Sequence, residues 1–76
     1  MEKAYVVINC ELGSEGTIIE EAKSIDYVKE VMGVFGNYDI ILKLECPNVD
    51  VISETIAKKI RKLDKVNSTT TLMCAN

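Results

Sequence analysis

The sequence contains no histidine, no run of 18 or more consecutive apolar residues and no dense basic segment. Without histidine it lacks the side chain most often used for proton transfer at neutral pH, and no acidic pair or cysteine–base pair stands at a spacing that implies shared chemistry. Catalysis is therefore not expected. The lack of a long apolar run excludes a membrane-spanning helix, and Met1-Glu2-Lys3-Ala4-Tyr5 has neither the basic start nor the apolar stretch of a signal peptide. A cytoplasmic protein that does not engage membranes is expected. The net charge is −3, and nucleic-acid affinity rests largely on neutralising phosphates, so direct DNA binding is not expected. Three widely spaced cysteines, Cys10, Cys46 and Cys74, match neither a disulfide framework nor a CxxC metal pair. They read as reduced thiols packed like small hydrophobes, and no metal or cofactor is expected.

What is present is a high apolar content, 47%, in only 76 residues. A chain of that size holds one domain, which buries only about 60% of the surface its unfolded form exposes. Self-association is the natural way to add buried surface. The charges are uneven: Glu11, Glu15, Glu20 and Glu21 crowd one segment, and Lys58, Lys59, Arg61, Lys62 and Lys65 another. Each cluster reads either as a solvated helix face or as complementary surface between subunits.

Lys3 to Cys10 is apolar, β-branched and aromatic, which predicts a strand with both faces buried. Ser14 then stands where a helix N-cap belongs, and Ile18, Ile19, Ala22 and Ile25 form one face of a helix over residues 15–24. Tyr27 to Phe35 returns to strand composition and meets Gly36-Asn37, a pair suited to a tight hairpin turn. The return arm, Tyr38 to Glu45, puts Ile40, Leu42 and Leu44 on one face, and Cys46-Pro47 closes it. Asn48 or Asp50 caps a second helix carrying the stripe Ile52, Ile56, Ile60 and Leu63, and Val66 to Cys74 supplies a last strand.

The order βαββαβ, with right-handed crossovers, predicts an α+β ferredoxin-like sandwich: an antiparallel sheet of order 4-1-3-2 with two helices on one face. The other face stays uncovered, and Tyr5, Val7, Ile41 and Met73 are expected to line it as a dimer interface. The same order separates Cys46 from Cys74 by two strand spacings, roughly 9 to 10 Å, beyond the reach of about 7 Å for a disulfide. It also gathers at one sheet edge the ends that carry Asn9, Cys10, Gly36 to Asp39 and Asn67 to Thr69. A carboxylate, exposed backbone groups and hydroxyls are the groups that hold an ammonium and a carboxylate. Equally, Gly36-Asn37 serves a turn, Asp39 braces it, and threonines are ordinary strand residues.

The stretch IDYVKEVMGVFGNYDIILKLE, followed after one helix by IRKLDKVNSTTTLMC, resembles the effector-binding RAM domain of the Lrp/AsnC regulators over nearly the whole chain. Its most specific elements are Gly36-x-Tyr38-Asp39 and the run from Val66 to Thr71. The resemblance implies a single sensing and oligomerisation domain over residues 1–76, dimers formed sheet to sheet that assemble into a ring or larger oligomer, and an amino acid bound between dimers. It points to Gly36, Asn37, Tyr38, Asp39, Ser68, Thr69 and Thr70 as ligand-binding residues. Because a strand begins by Ala4, no helix-turn-helix is expected before it, and the chain resembles a stand-alone form that acts on transcription through full-length regulators of the family. The alternatives are a purely structural oligomerisation module, an ACT-like small-ligand domain, or a small dimeric αβ-barrel enzyme.

Overall fold

A computed structural model describes residues 1–75. The elements are β1 (Glu2–Cys10), α1 (Glu15–Lys23), β2 (Val28–Gly33), β3 (Ile40–Cys46), α2 (Val49–Thr55) continued by a π-helical turn (Ile56–Ile60), and β4 (Val66–Met73). The strands form one antiparallel sheet of order β2-β3-β1-β4, the expected order read from its other edge.

Alternation decides which side chains meet the helices. Ala4, Val6 and Ile8 of β1 and Ile40, Leu42 and Leu44 of β3 are fully buried against Ile18 and Ala22 of α1 and Ile52, Ile56 and Ile60 of the second helix. Ile19, Ile25 and Leu63 only flank this core. Fully burying one such aliphatic side chain contributes about 1.5–3 kcal/mol, so the two interior strand triplets and the helix stripes carry most of the hydrophobic stabilisation.

Of three local expectations, two change and one is met. Ser14 occupies the N-cap of α1 but makes no capping bond; its hydroxyl donates to the Glu11 carbonyl instead. Asn48 does cap α2, its Oδ1 accepting from the Val51 N–H at 2.9 Å. The hairpin is also wider than a two-residue turn: the Val34 N–H donates to the Asp39 carbonyl at 2.9 Å, which leaves Phe35, Gly36, Asn37 and Tyr38 as a four-residue loop. Gly36 takes a positive φ of 120° and Asn37 does not, so the two consecutive positive angles of a type I′ turn are not met.

The two helix-to-strand turns are twins. Tyr27 (φ 77°) and Lys65 (φ 73°) are the non-glycine residues with positive φ, in Ile-Asp-Tyr-Val and Leu-Asp-Lys-Val. The Val28 N–H donates to the Ile25 carbonyl at 3.2 Å, and the Val66 N–H to the Leu63 carbonyl at 3.4 Å. The Tyr27 carbonyl then accepts from Glu45 N–H at 3.1 Å, and the Lys65 carbonyl from Glu11 N–H at 3.0 Å. A likeness invisible as a sequence repeat thus repeats in the backbone.

Candidate functional site

Asp39 is the best-anchored polar residue at the expected edge. Its N–H donates to the Ile8 carbonyl at 2.9 Å, its carbonyl accepts from Val34, and its Oδ2 accepts from the partly buried Cys10 N–H at 2.8 Å. The carboxylate is thereby fixed where β1 ends, and its other oxygen has no hydrogen-bond partner among the described residues. Beside it the loop stands in solvent: Gly36 and Asn37 are exposed, Phe35 is fully exposed, and a Cβ added at Gly36 would meet nothing within 4 Å.

The hydroxyl residues lie on β4, across β1 from this loop. Ser68 pairs with Asn9, Thr69 with Ile8 and Thr70 with Val7. Residues directly opposite in an antiparallel pair share a sheet face, so Ser68 and Thr70 share the uncovered face while Thr69 lies on the helix side with Ile8. Asn9 Nδ2 reaches Ser68 Oγ at 3.4 Å. Strand β1 stands between the Gly36–Asp39 loop and Ser68–Thr70, a separation of about two strand spacings, close to 10 Å. The two groups share an edge but do not meet in one protomer.

Two depressions were not anticipated. A polar pocket of about 280 Å³ lies at the outer edge of β4, lined by Arg61, Val66, Asn67, Ser68 and Thr69. Its only sequence signal is a basic residue shortly before a strand rich in hydroxyls. A larger cleft of about 520 Å³ runs between the α1–β2 turn and α2, with Asp26, Tyr27, Glu54 and Lys58 among its lining residues. The cleft carries charges of both signs, and Lys58 and Glu54 already approach each other at 3.6 Å.

On the uncovered face, Val7 is buried by its neighbours, Ile41 is half-buried, and Tyr5, Met32 and Leu72 are exposed. Lys43 and Glu45 pair across it at 3.5 Å. The Lys43 ammonium is held above its ordinary pKa, first by the neighbouring Tyr5 oxygen and then by Glu45, which together outweigh its desolvation. Met73 does not belong to this face. It pairs with Ala4, whose side chain is buried on the helix side, whereas Leu72 pairs with Tyr5. The Thr-rich strand has no apolar alternation from which this parity could be read.

All three thiols are free. Burial pushes Cys10 and Cys46 up from the ordinary value of 9.0, with Asp39 and Glu15 adding to the rise at Cys10.

The fold has close counterparts. The family model described as the Lrp/AsnC ligand binding domain matches residues 3–76. This chain belongs to that family. The domain is thus of the kind that binds ligands in Lrp/AsnC regulators, and the curated relatives are regulatory proteins. The regulatory protein AsnC of Escherichia coli is 31% identical over 55 residues, which cover 72% of this chain and 36% of AsnC. The domain therefore corresponds to about a third of that regulator's length. The crystal structure of FFRP-DM1 superposes with a TM-score of 0.92 at 30% identity, covering 97% of this chain and 99% of that one. A transcriptional regulator from Neisseria meningitidis, solved in complex with L-Met, has a TM-score of 0.88 at 9% identity, covering 99% of this chain and 50% of that one, and shares the fold.

Proposed function

We propose that this Lrp/AsnC ligand-binding domain is an amino-acid sensor whose site is completed by self-association. Copies pair through the face carrying Tyr5, Val7 and Ile41, the pairs assemble into a ring or larger oligomer, and the assembly influences transcription by joining full-length regulators of its family. Asp39 receives the ligand's ammonium, the Gly36–Tyr38 backbone closes over it, and Ser68, Thr69 or Thr70 contributes from another copy. The observation that carries this reading is Asp39 itself: its carboxylate is locked by Cys10 with one oxygen left free, beside a loop open to solvent. The need for a second copy follows from β1. The ammonium and carboxylate of an α-amino acid sit on one carbon and cannot bridge two strand spacings.

The test is a thermal-shift screen of the twenty amino acids with native mass measured in parallel, because a ligand that binds the folded assembly raises its apparent stability. Stabilisation by one amino acid or a few, at unchanged or increased mass, is the expected result. If no amino acid stabilises an assembled protein, a purely structural oligomerisation module replaces this reading, favoured by the apolar residues on the uncovered face.

A further inference from the structure

We propose that the outer edge of β4 pairs with β4 of a second copy, antiparallel about a two-fold axis at Thr71, so that two sheets continue as one. The contact goes beyond the reading above. It needs no ligand and uses backbone groups rather than the side chains of Tyr5, Val7 and Ile41; where that face holds copies in pairs, this edge joins one pair to the next.

Register decides which groups the edge offers. The Cys74 N–H donates to the Lys3 carbonyl at 3.0 Å. Before it, Met73 pairs with Ala4, Leu72 with Tyr5, Thr71 with Val6, Thr70 with Val7 and Thr69 with Ile8. Hydrogen-bonded and non-bonded pairs alternate along an antiparallel ladder. Leu72 and Thr70 therefore turn their N–H and C=O to β1, as Cys74 does, whereas Met73, Thr71 and Thr69 turn theirs outward. Because β4 ends the strand order, that row faces no strand among the described residues.

The two edges of the sheet differ in how they are guarded. β2 is broken by a bulge between Val28 and Glu30 and carries Lys29 and Glu30, devices that keep other strands away. Over residues 68–73, β4 has neither: its pairing with β1 is regular, and the stretch STTTLM holds no charge, proline or glycine. Leu72 and Met73 lie on opposite faces of the sheet and are 53% and 47% exposed. A contact with one face covers only one of them, whereas a strand added at the edge flanks both.

A second copy fits this edge by symmetry. The outward residues are evenly spaced about Thr71, so a two-fold axis there sets Thr71 against Thr71 and Thr69 of each copy against Met73 of the other. Each such pair exchanges both of its backbone bonds. Leu72 of each copy then stands beside Thr70 of the other, so apolar and β-branched residues meet across the axis and no like charges are opposed. An isologous contact of this kind closes with two copies, and it extends an assembly only in combination with a second contact.

The experiment follows deuterium exchange of the β4 amides by NMR in the assembled full chain, with native mass measured alongside. In wild type, Thr69, Thr71 and Met73 should exchange slowly, like Thr70 and Leu72. The same should hold in Ile41→Asp, which opens the face-to-face pair and leaves this edge alone. Thr71 is exposed; Thr71→Pro removes the central outward donor without touching the β1 ladder, and Thr71→Lys sets two like charges across the axis. Either should lower the mass and speed exchange at Thr69 and Met73 roughly a hundredfold or more, while Thr70 and Leu72 stay protected. Fast exchange of the three outward amides in wild type, or an unchanged mass in Thr71→Lys, overturns the pairing. Protection that vanishes in Ile41→Asp also overturns it, since the face alone would then shield the edge. Slow outward amides in a protein that no amino acid stabilises leave the edge contact standing and refute the sensor reading; the reverse result removes the edge contact alone.

Discussion

The Asp39 carboxylate accepts the Cys10 backbone N–H at 2.8 Å, tying the hairpin loop to the end of the central strand. Asp39 therefore has two separable tasks, bracing and ligand recognition. Asp39→Ala orphans a partly buried donor and should cost roughly 1–3 kcal/mol of stability. Asp39→Asn keeps an acceptor for Cys10 but drops the charge, so it should melt close to wild type while binding the amino acid roughly ten- to a hundredfold more weakly. Denaturant melts and calorimetry on both variants check this; an Asn variant that binds like wild type removes Asp39 from the ligand's contacts.

The uncovered face predicts a contrast between adjacent residues. Ile41→Asp and Leu72→Asp place a carboxylate where copies meet and should split the assembly, each at a cost of several kcal/mol. Met73→Asp points to the opposite face and should leave that face-to-face pairing in place. Light scattering on the three variants reads the outcome, and an unchanged mass for Ile41→Asp rejects this interface.

Lys65 is exposed and holds a φ of 73°. A β-branched side chain tolerates that region poorly, so Lys65→Val should destabilise by about 1–2 kcal/mol. Lys65→Gly relieves the same strain but loosens the unfolded chain, and should fall within about 1 kcal/mol of wild type. Thermal melts of the pair distinguish backbone strain from loss of the lysine charge, since both variants lose the charge.

Thiol titration should reduce stability in alkali. The native values of Cys10 and Cys46 lie above the ordinary 9.0, so the unfolded chain releases those protons first. Stability is unaffected below that value and is lost as pH rises from it towards the raised native values. Replacing both residues with alanine should flatten the slope in this window. Alkylation of the folded protein should label the half-buried Cys74 ahead of the two buried thiols.

With a net charge of −3, the isolated chain should not bind random duplex DNA at submicromolar affinity in physiological salt. A gel-shift or anisotropy titration tests this directly, and submicromolar binding would turn attention to the Lys58–Lys65 segment.

The fold was legible because its signals are periodic. Ile40, Leu42 and Leu44 announce their buried face by alternation, and Ile52, Ile56 and Ile60 theirs by helical spacing. Asn48 was readable as a cap because its chemistry acts locally. Ser14 was not, because the Glu11 carbonyl competes for its hydroxyl. Met73 was assigned to the wrong face since parity in a threonine run depends on register against β1, a long-range property. The edge gathering Asp39 and Ser68 followed from strand order, but the strand standing between them matters only once register is known. The pocket bordered by Arg61 and Asn67 escaped notice because it depends on the π turn and on a bulge where Cys10 pairs with Val66 and Asn9 with Ser68, irregularities that leave no periodic trace.

The central position of β1 also dictates how the chain comes together. Asn9 meets Ser68 across 59 residues of sequence, and β1 lies between the β2–β3 hairpin and β4 in the sheet. Helix α1 and the hairpin can form early from neighbouring residues, but closing the sheet awaits β4, the last strand in the order. Such non-local pairing slows folding. Until it happens, β1 exposes an uncovered row of hydrogen-bonding groups along the side reserved for β4, and nascent chains are at their most aggregation-prone in that interval.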